Sequence, residues 1–415
     1  MKKFFSMALA LVMTLSLAAC GSKEETPPAT TSTPAAASTP AASTAKPADA
    51  EYSVAMITDY GDITDQSFNQ TTYEACKEYC EAAGLDFNYF KPAGNSTADR
   101  VAMVEKAVDE GYNIIVMPGY AFGGTVVEAA PEFPDVKFVV LDCAKGDYLE
   151  AGVSAAGEQY DYNPDNWELE KYVDLSNVYT MIYQEELCGY MAGYATVKMG
   201  YTELGYCGGM AVPAVLRFGY GFLQGVDAAA AETGAAVNVK WAYANQFYGD
   251  ADITAAMDTW YSAGTQAVFA CGGGVYTSVA EAAAKVGGKV IGVDVDQAPI
   301  IDAMSAEGTT ITSAMKGLAS STKDALKQII EDGNWSALAG QIANLGLVSA
   351  TDMDANFVGI PTGEGTQWCD AFTQADYAAM VAGMLDGTIV VSNDISKTPA
   401  DFATVITVED LGNIK

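Results

Sequence analysis

From Glu51 onward, short apolar runs alternate with amphipathic stretches, and that alternation leaves few folds open to the chain. It is the pattern of parallel strands joined by crossover helices, in which each strand stays apolar along its length because both sheet faces are covered. A first series reads as strand Ser53–Thr58, helix Gln66–Ala83, strand Asp86–Lys91, a helix capped by Ser96, strand Asn113–Met117, helix Gly124–Ala130 and strand Lys137–Leu141. A second begins near Asn177 with helix Glu185–Met199, strand Glu203–Cys207, helix Ala214–Ala231 and strand Ala236–Ala242. It continues through helix Ile253–Ser262, strand Ala267–Ala270, helix Ser278–Lys285 and strand Lys289–Val293. Strand Thr310–Ser313 and helix Leu318–Glu331 lead back, and helix Gln374–Asp386 with strand Ile389–Val391 finish the body. The expected fold class is α/β: two doubly wound lobes with an interlobe cleft. Lobe 1 takes residues 51–176, lobe 2 takes 177–296, residues 297–335 return to lobe 1, and 336–415 complete the lobes. Residues 144–176 break the rhythm with Tyr148, Tyr160, Tyr162, Trp167 and Tyr172 among acidic residues, and read as a surface insertion.

Ahead of this body stands an address. Lys2 and Lys3 precede an apolar run from Phe4 to Leu17, shorter than a membrane span and shaped like a secretory signal. It ends in Leu17-Ala18-Ala19-Cys20-Gly21, which resembles the acylation signal of bacterial lipoproteins. The expectation is a signal peptide at 1–19, lipidation of Cys20, and a protein held at the extracytoplasmic face of the cell membrane by its lipid anchor. Of the 24 residues from Pro27 to Ala50, 22 are Pro, Thr, Ala or Ser, so 20–50 is expected to be a disordered tether.

Composition removes many functions. Lys and Arg number 21 against 53 Asp and Glu, a net charge of −32, which argues against nucleic-acid binding. The chain has no histidine, and this rules out Ser-His-Asp hydrolysis, HExxH zinc sites and His proton shuttles. Seven cysteines follow Cys20 with no framework spacing; Cys76 and Cys80 lie four apart on one helix, but no companion pair or His completes a metal site. No metal and no cofactor is expected.

In doubly wound sheets ligands bind beyond the carboxyl ends of the strands, so the residues following each strand are the candidates. The first strand leads to Asp59, then to Asp65-Gln66-Ser67-Phe68-Asn69-Gln70. Asp65 or Ser67 suits a helix cap, while Phe68 beside Asn69 offers stacking next to a bidentate amide. Phe68 as core and Asn69 as a solvated residue are equally compatible with the spacing. Strand 137–141 ends in Asp142 and strand 289–293 in Asp294, carboxylates placed to accept from vicinal hydroxyls. Lys316 follows strand 310–313, where it can meet a ligand or a local acid. Asn245-Gln246-Phe247-Tyr248 brings an aromatic from the other lobe. Gly272 and Gly273, within Cys271-Gly272-Gly273-Gly274, can present backbone N–H groups to a ligand oxygen or can simply form a tight turn. No nucleotide-cradling GxxxxGK[ST] motif occurs.

These residues fall into an order that resembles the basic membrane protein family of substrate-binding lipoproteins, which includes purine nucleoside receptors of ABC transporters. The resemblance runs from about Tyr52 to Trp335. It rests on Asp59 with Asp65-Gln66-Ser67-Phe68-Asn69-Gln70, on Arg217-Phe218 and Gly221-Phe222 ahead of Gly225-Val226, on Ile291-Gly292-Val293-Asp294 with Asp296-Gln297, and on Thr312-Ser313-Ala314-Met315-Lys316. Gln66 stands where the family usually has Lys. The resemblance implies a fold like the type I periplasmic binding proteins and a purine nucleoside ligand such as inosine, guanosine or adenosine. It implies that Phe68 and Phe247 stack on the base, with Tyr248 or Phe218 as alternatives to Phe247. Asn69 would read the base edge, with Asp59 beside it, and Asp142, Asp294 and Lys316 would hold the sugar, helped by a backbone N–H at Gly272 or Gly273. The implied partners are the permease and ATPase subunits of the ABC importer, as separate chains.

Two other readings use the same residues. The same fold binding a sugar or small signalling molecule, for uptake or sensing, is the alternative ligand class. An enzyme would need Asp142 and Asp294 as acid and base, yet no electrophile activator accompanies them, so a non-enzyme is expected.

Overall fold

The computed structural model describes residues 51–415; the leader, Cys20 and the tether fall outside the described residues. β1 (Val54–Ile57) leads through a long loop to α1 (Phe68–Ala83), then β2 (Phe87–Phe90), α2 (Thr97–Asp109), β3 (Ile114–Pro118), α3 (Gly123–Ala129), β4 (Lys137–Leu141), α4 (Lys145–Ala155) and β5 (Val178–Tyr183). The second half carries α5 (Glu185–Lys198), β6 (Glu203–Gly208), α6 (Pro213–Thr233), β7 (Asn238–Tyr243), α7 (Ala251–Ser262), β8 (Ala267–Cys271), α8 (Tyr276–Val286), β9 (Lys289–Asp294), α9 (Ala298–Met304) and β10 (Thr310–Lys316). Then follow α10 (Leu318–Ile330), α11 (Trp335–Leu338), β11 (Ile342–Leu345), β12 (Val358–Gly359), α12 (Gln374–Asp386) and β13 (Thr407–Asn413).

Two sheets result. The first has the order β11-β5-β4-β3-β1-β2, all parallel. The second runs β12-β10-β9-β8-β6-β7-β13, parallel except for β12, which opposes β10. Central strands such as β1, β3 and β8 are buried at every position, as sheets covered on both faces require. Each order reverses once, between β1 and β3 and between β6 and β8, and such switch points open a crevice at the strand ends.

The lobes differ from the sequence expectation in three places. β5 lies in the first sheet, with Phe138 opposite Val178 and Leu141 opposite Met181, so lobe 1 continues past 177 to Tyr183. Its crossover is α4, which buries Tyr148, Leu149 and Val153; only the stretch after Ala155 is an excursion, with Tyr160, Trp167 and Tyr172 packed edge to face. The aromatic run masked an ordinary βαβ unit. β10 does not return to lobe 1. It pairs with β9 in the second sheet, Ala314 opposite Val293, and the return is made by α10 and β11 beside β5. A short apolar strand does not encode which sheet it joins. No strand forms at Ile389–Val391, where Ile389 instead donates to the Gly383 carbonyl at 2.9 Å; the strand of this region is β13, a largely exposed edge with no apolar run to signal it.

The chain crosses between lobes at Gln184, at Gly317 and between Gly346 and Phe357, and the crossings bond to one another. Gln184 N–H donates to Leu345 O at 2.9 Å, Phe357 N–H to Gly346 O at 3.0 Å, and Gly317 N–H to Phe357 O at 2.7 Å. Beside them α5 and α6 approach through reciprocal glycines. A Cβ on Gly189 or Gly193 would lie 2.2 Å from the carbonyl oxygen of Phe218 or Phe222, and one on Gly221 or Gly225 would lie 2.0 Å from that of Glu186 or Tyr190. The G-F-x-x-G spacing noted at Gly221–Gly225 is thus a helix-packing device. Gly221→Ala is expected to destabilise the protein by about 1–3 kcal/mol through overpacking. Urea unfolding measures it; a neutral or stabilised variant, as helix propensity alone would give (about 1 kcal/mol), would contradict the close approach.

Candidate ligand-binding site

A cavity of about 510 Å³ lies where the carboxyl ends of both sheets meet. Asp59, Phe68, Asn69, Asp142, Phe247, Gly272, Gly273, Asp294 and Lys316 all line it, so every residue expected at the site is brought to one place.

The first wall is the loop after β1 and the start of α1. Asp65 is the cap: its carboxylate accepts from the backbone N–H of Ser67, Asn69 and Gln70 at 2.9–3.0 Å and from Asn69 Nδ2 at 3.2 Å. That frees Ser67, whose Oγ reaches across the cleft to Asp294 Oδ2 at 2.5 Å. Asn69 is thereby fixed, with Oδ1 buried and accepting no hydrogen bond from the described residues. Asp59 Oδ1 accepts from the N–H of Tyr60 and Gly61, both at 2.6 Å. Burial raises its pKa against those bonds and against the charge of Arg100.

The charged end is built from five elements. Lys316 Nζ, at the end of β10, pairs with Asp142 Oδ2 and lies 3.5 Å from Glu185 Oε1 and 3.7 Å from Asp294 Oδ1. Glu185, fully buried at the start of α5, also takes Arg217 Nε at 2.6 Å. Burial works against the Lys316 ammonium, but Asp142, Asp294 and Glu185 outweigh it and hold its pKa above the ordinary range. Burial and the Glu185 charge push the Asp142 carboxyl up, and the Lys316 charge opposes them. Asp142 Oδ1 is buried with no hydrogen-bond partner among the described residues. Asp142 and Asp294 stand at φ +57° and +67°, a left-handed backbone that Asp tolerates and that turns each side chain off its strand.

The aromatic walls come from both lobes. Phe68 lies with its ring 4.7 Å from Lys316 Nζ. Of the three candidates opposite, Phe218 is buried edge-on against Phe269 at 6.2 Å and Tyr248 is 59% exposed at the rim. Phe247 is half-buried, 6.4 Å from the Tyr60 ring. The glycine turn is specific in its needs: a Cβ on Gly272 would lie 2.8 Å from Gly209 Cα, and Gly273 has φ +47°. The Gly272 N–H is used by Ala270 O at 3.2 Å, which leaves Gly273 as the N–H with no bond among the described residues.

Sequence reasoning missed Glu185, Arg217, Tyr60 and Tyr120 as lining or supporting groups. Tyr120 follows β3, so listing what ends that strand would have found it; its hydroxyl and that of Tyr60 face Met210 Sδ at 3.6 and 3.4 Å. Glu185 had a signal too: in a chain with few cations, Arg217 and Lys316 both require buried acids.

Burial raises Asp147 and Glu186, beside this network, to about 7. A carboxyl with a raised folded pKa contributes stability when protonated, which is lost as pH climbs from its unfolded pKa through the folded one. Unfolding free energy is therefore expected to fall between pH 5 and pH 7.5, and Glu186→Gln, which removes one titrating group, to flatten that slope; denaturant titrations at the two pH values measure it.

Comparison with known proteins identifies the family and the fold. A family model described as ABC transporter substrate-binding protein PnrA-like matches residues 52–351. The chain is 28% identical over 263 residues to the ABC transporter nucleoside-binding protein BmpA of Lactococcus lactis, a match spanning 60% of this chain and 65% of that one. It is 26% identical over 314 residues to a CD4+ T-cell-stimulating antigen of Listeria monocytogenes, spanning 71% and 74%. Among solved structures, solute-binding proteins of ABC transporter systems from Aeropyrum pernix and Conexibacter woesei share the fold, each with a TM-score of 0.57. They are 20% and 19% identical and cover 85% and 82% of this chain and 90% and 99% of their own. The chain belongs to the PnrA-like family of ABC transporter substrate-binding proteins.

Proposed function

We propose that this chain is the lipid-anchored, extracytoplasmic receptor of an ABC importer and that it closes its two lobes on a purine nucleoside. The observation that carries this is the division of the cavity: aromatic rings from both lobes, Phe68 and Phe247, and a charged end of Asp142, Asp294 and Lys316. A flat base matches the first and a ribose bearing vicinal hydroxyls matches the second. Asn69 Oδ1 and Asp142 Oδ1 are buried acceptors, each suited to a ligand N–H or O–H, and pairing them removes a penalty of about 1–3 kcal/mol apiece. The Lys316 ammonium is already shared by three carboxylates, which favours a neutral ligand over a phosphorylated one. Support also comes from the Lactococcus relative, named as nucleoside-binding.

Anchoring through Cys20 follows from the leader sequence, and delivery to a separate permease and ATPase follows from the family. A receptor needs no bond-breaking step, so nucleosides are expected to leave the site unchanged.

The test is calorimetric titration of the chain with inosine, guanosine and adenosine, alongside free sugars and nucleotides. Nucleoside binding is expected, and Phe68→Ala is expected to weaken it by about 5- to 150-fold, the worth of one base–aromatic stack (about 1–3 kcal/mol). Binding of sugars alone would replace the ligand class; turnover of the nucleoside would replace the receptor by an enzyme.

A further inference from the structure

The chain continues past the region that the family model covers, which ends at 351, and part of this continuation reaches the loop that carries Phe247. β13 adds to the outer edge of the second sheet beside β7, with Thr407 opposite Asn238 and Asn413 opposite Tyr243. Past it, Ile414 N–H donates to Tyr243 O at 2.8 Å, where β7 ends and the loop carrying Phe247 begins. Lys415 Nζ then pairs with Asp250 Oδ2 and lies 6.0 Å from the centre of the Tyr248 ring.

Asp250 is the anchor of that loop. Its Oδ1 caps α7 by accepting from Asp252 and Ile253 N–H at 3.1 and 3.0 Å. Its Oδ2 accepts from Gln246 Nε2 at 2.9 Å, and the same Nε2 donates to Tyr248 O at 2.8 Å. On its inner side the loop is tied to the glycine turn, since Gly274 N–H donates to Phe247 O at 2.9 Å. Asn245, which opens the loop, is left-handed at φ +58°, a conformation that Asn tolerates better than most residues and that turns the chain into the loop.

We propose that Lys415 is a positioning residue for the binding cleft: through Asp250 it braces the 245–250 loop and so presets Phe247 for its ligand. Ligand affinity then depends on a segment outside the matched family region. The effect acts by preorganisation, since ordering the loop in advance removes a cost from binding. As the pair is partly exposed, it is screened by salt.

The claim uses the nucleoside reading only for its affinity arm. Amide exchange of the full chain without ligand, followed by mass spectrometry, tests the brace itself. In Lys415→Ala the 245–250 amides are expected to exchange about two- to fivefold faster, the scale of an exposed pair, while β6 is unchanged. Lys415→Glu should exceed this, Lys415→Arg should restore the native rate, and 1 M NaCl should erase the difference between Ala and Lys. Inosine affinity should fall by the same factor in Lys415→Ala, by more in Lys415→Glu, and keep its native value in Lys415→Arg. An unchanged loop in Lys415→Glu, faster exchange spread over β6, or failure of Lys415→Arg to restore would overturn the proposal. If the native chain binds no nucleoside, the functional reading fails and the exchange comparison alone decides the brace.

Discussion

One buried ammonium sits where the two lobes, their crossings and the cleft all meet. Lys316 ends a strand of the second sheet, and its partners come from the end of β4 in the first sheet, the end of β9 in the second, and the residue after the first crossing. At 4 Å and an effective dielectric of 20, each opposite charge contributes about 4 kcal/mol of gross attraction, while an ion left unpaired in the interior costs several kcal/mol. The carboxylates therefore need Lys316 as much as it needs them, and separating the lobes breaks a pair rather than a neutral contact. Arg217 on Glu185 completes the balance: two cations stand among Asp142, Asp294 and Glu185.

The backbone around this centre is bent to suit it. Among the described residues, five non-glycine positions have positive φ, and Gln66, Asp142, Asn245 and Asp294 lie in or beside the cleft; only Tyr162 is elsewhere. At Asp142 and Asp294 the left-handed turn comes directly at a strand end. A strand continuing its pleat would send the side chain to one sheet face, whereas the turn directs it beyond the sheet. Hydrogen bonds between lobes, Ser67 to Asp294 and Gln297 Nε2 to Gln66 O at 3.3 Å, hold two of the four.

The central strands were legible because sheets covered on both sides must be apolar throughout, and β1, β3, β8 and β9 announce themselves that way. The cleft residues were legible because a strand end is a fixed place in such a fold, so Asp59, Asp142 and Asp294 could be read as neighbours across more than 200 residues. What stayed hidden depended on pairing rather than pattern. Whether Thr310–Lys316 joins the first or second sheet is decided by long-range packing. β13 reads Thr-Val-Glu-Asp-Leu-Gly-Asn, an exposed edge held by backbone hydrogen bonds that leave no mark on composition. Glu185 was easily passed over for a related reason, since an acid at the first position of a helix usually answers to the helix dipole, and here it answers to Lys316 and Arg217.

The three crossings lie in a row, with Gln184 bonded to Leu345, Gly346 to Phe357 and Phe357 to Gly317. A single linker would let the lobes spin about its axis, and two would still allow them to shear. Three strands laced side by side behave as a leaf spring: they bend across the row and resist torsion and sliding. The approach of one lobe to the other is thereby reduced to a single angular coordinate, and the faces that meet on closure are fixed by the lacing before any ligand arrives.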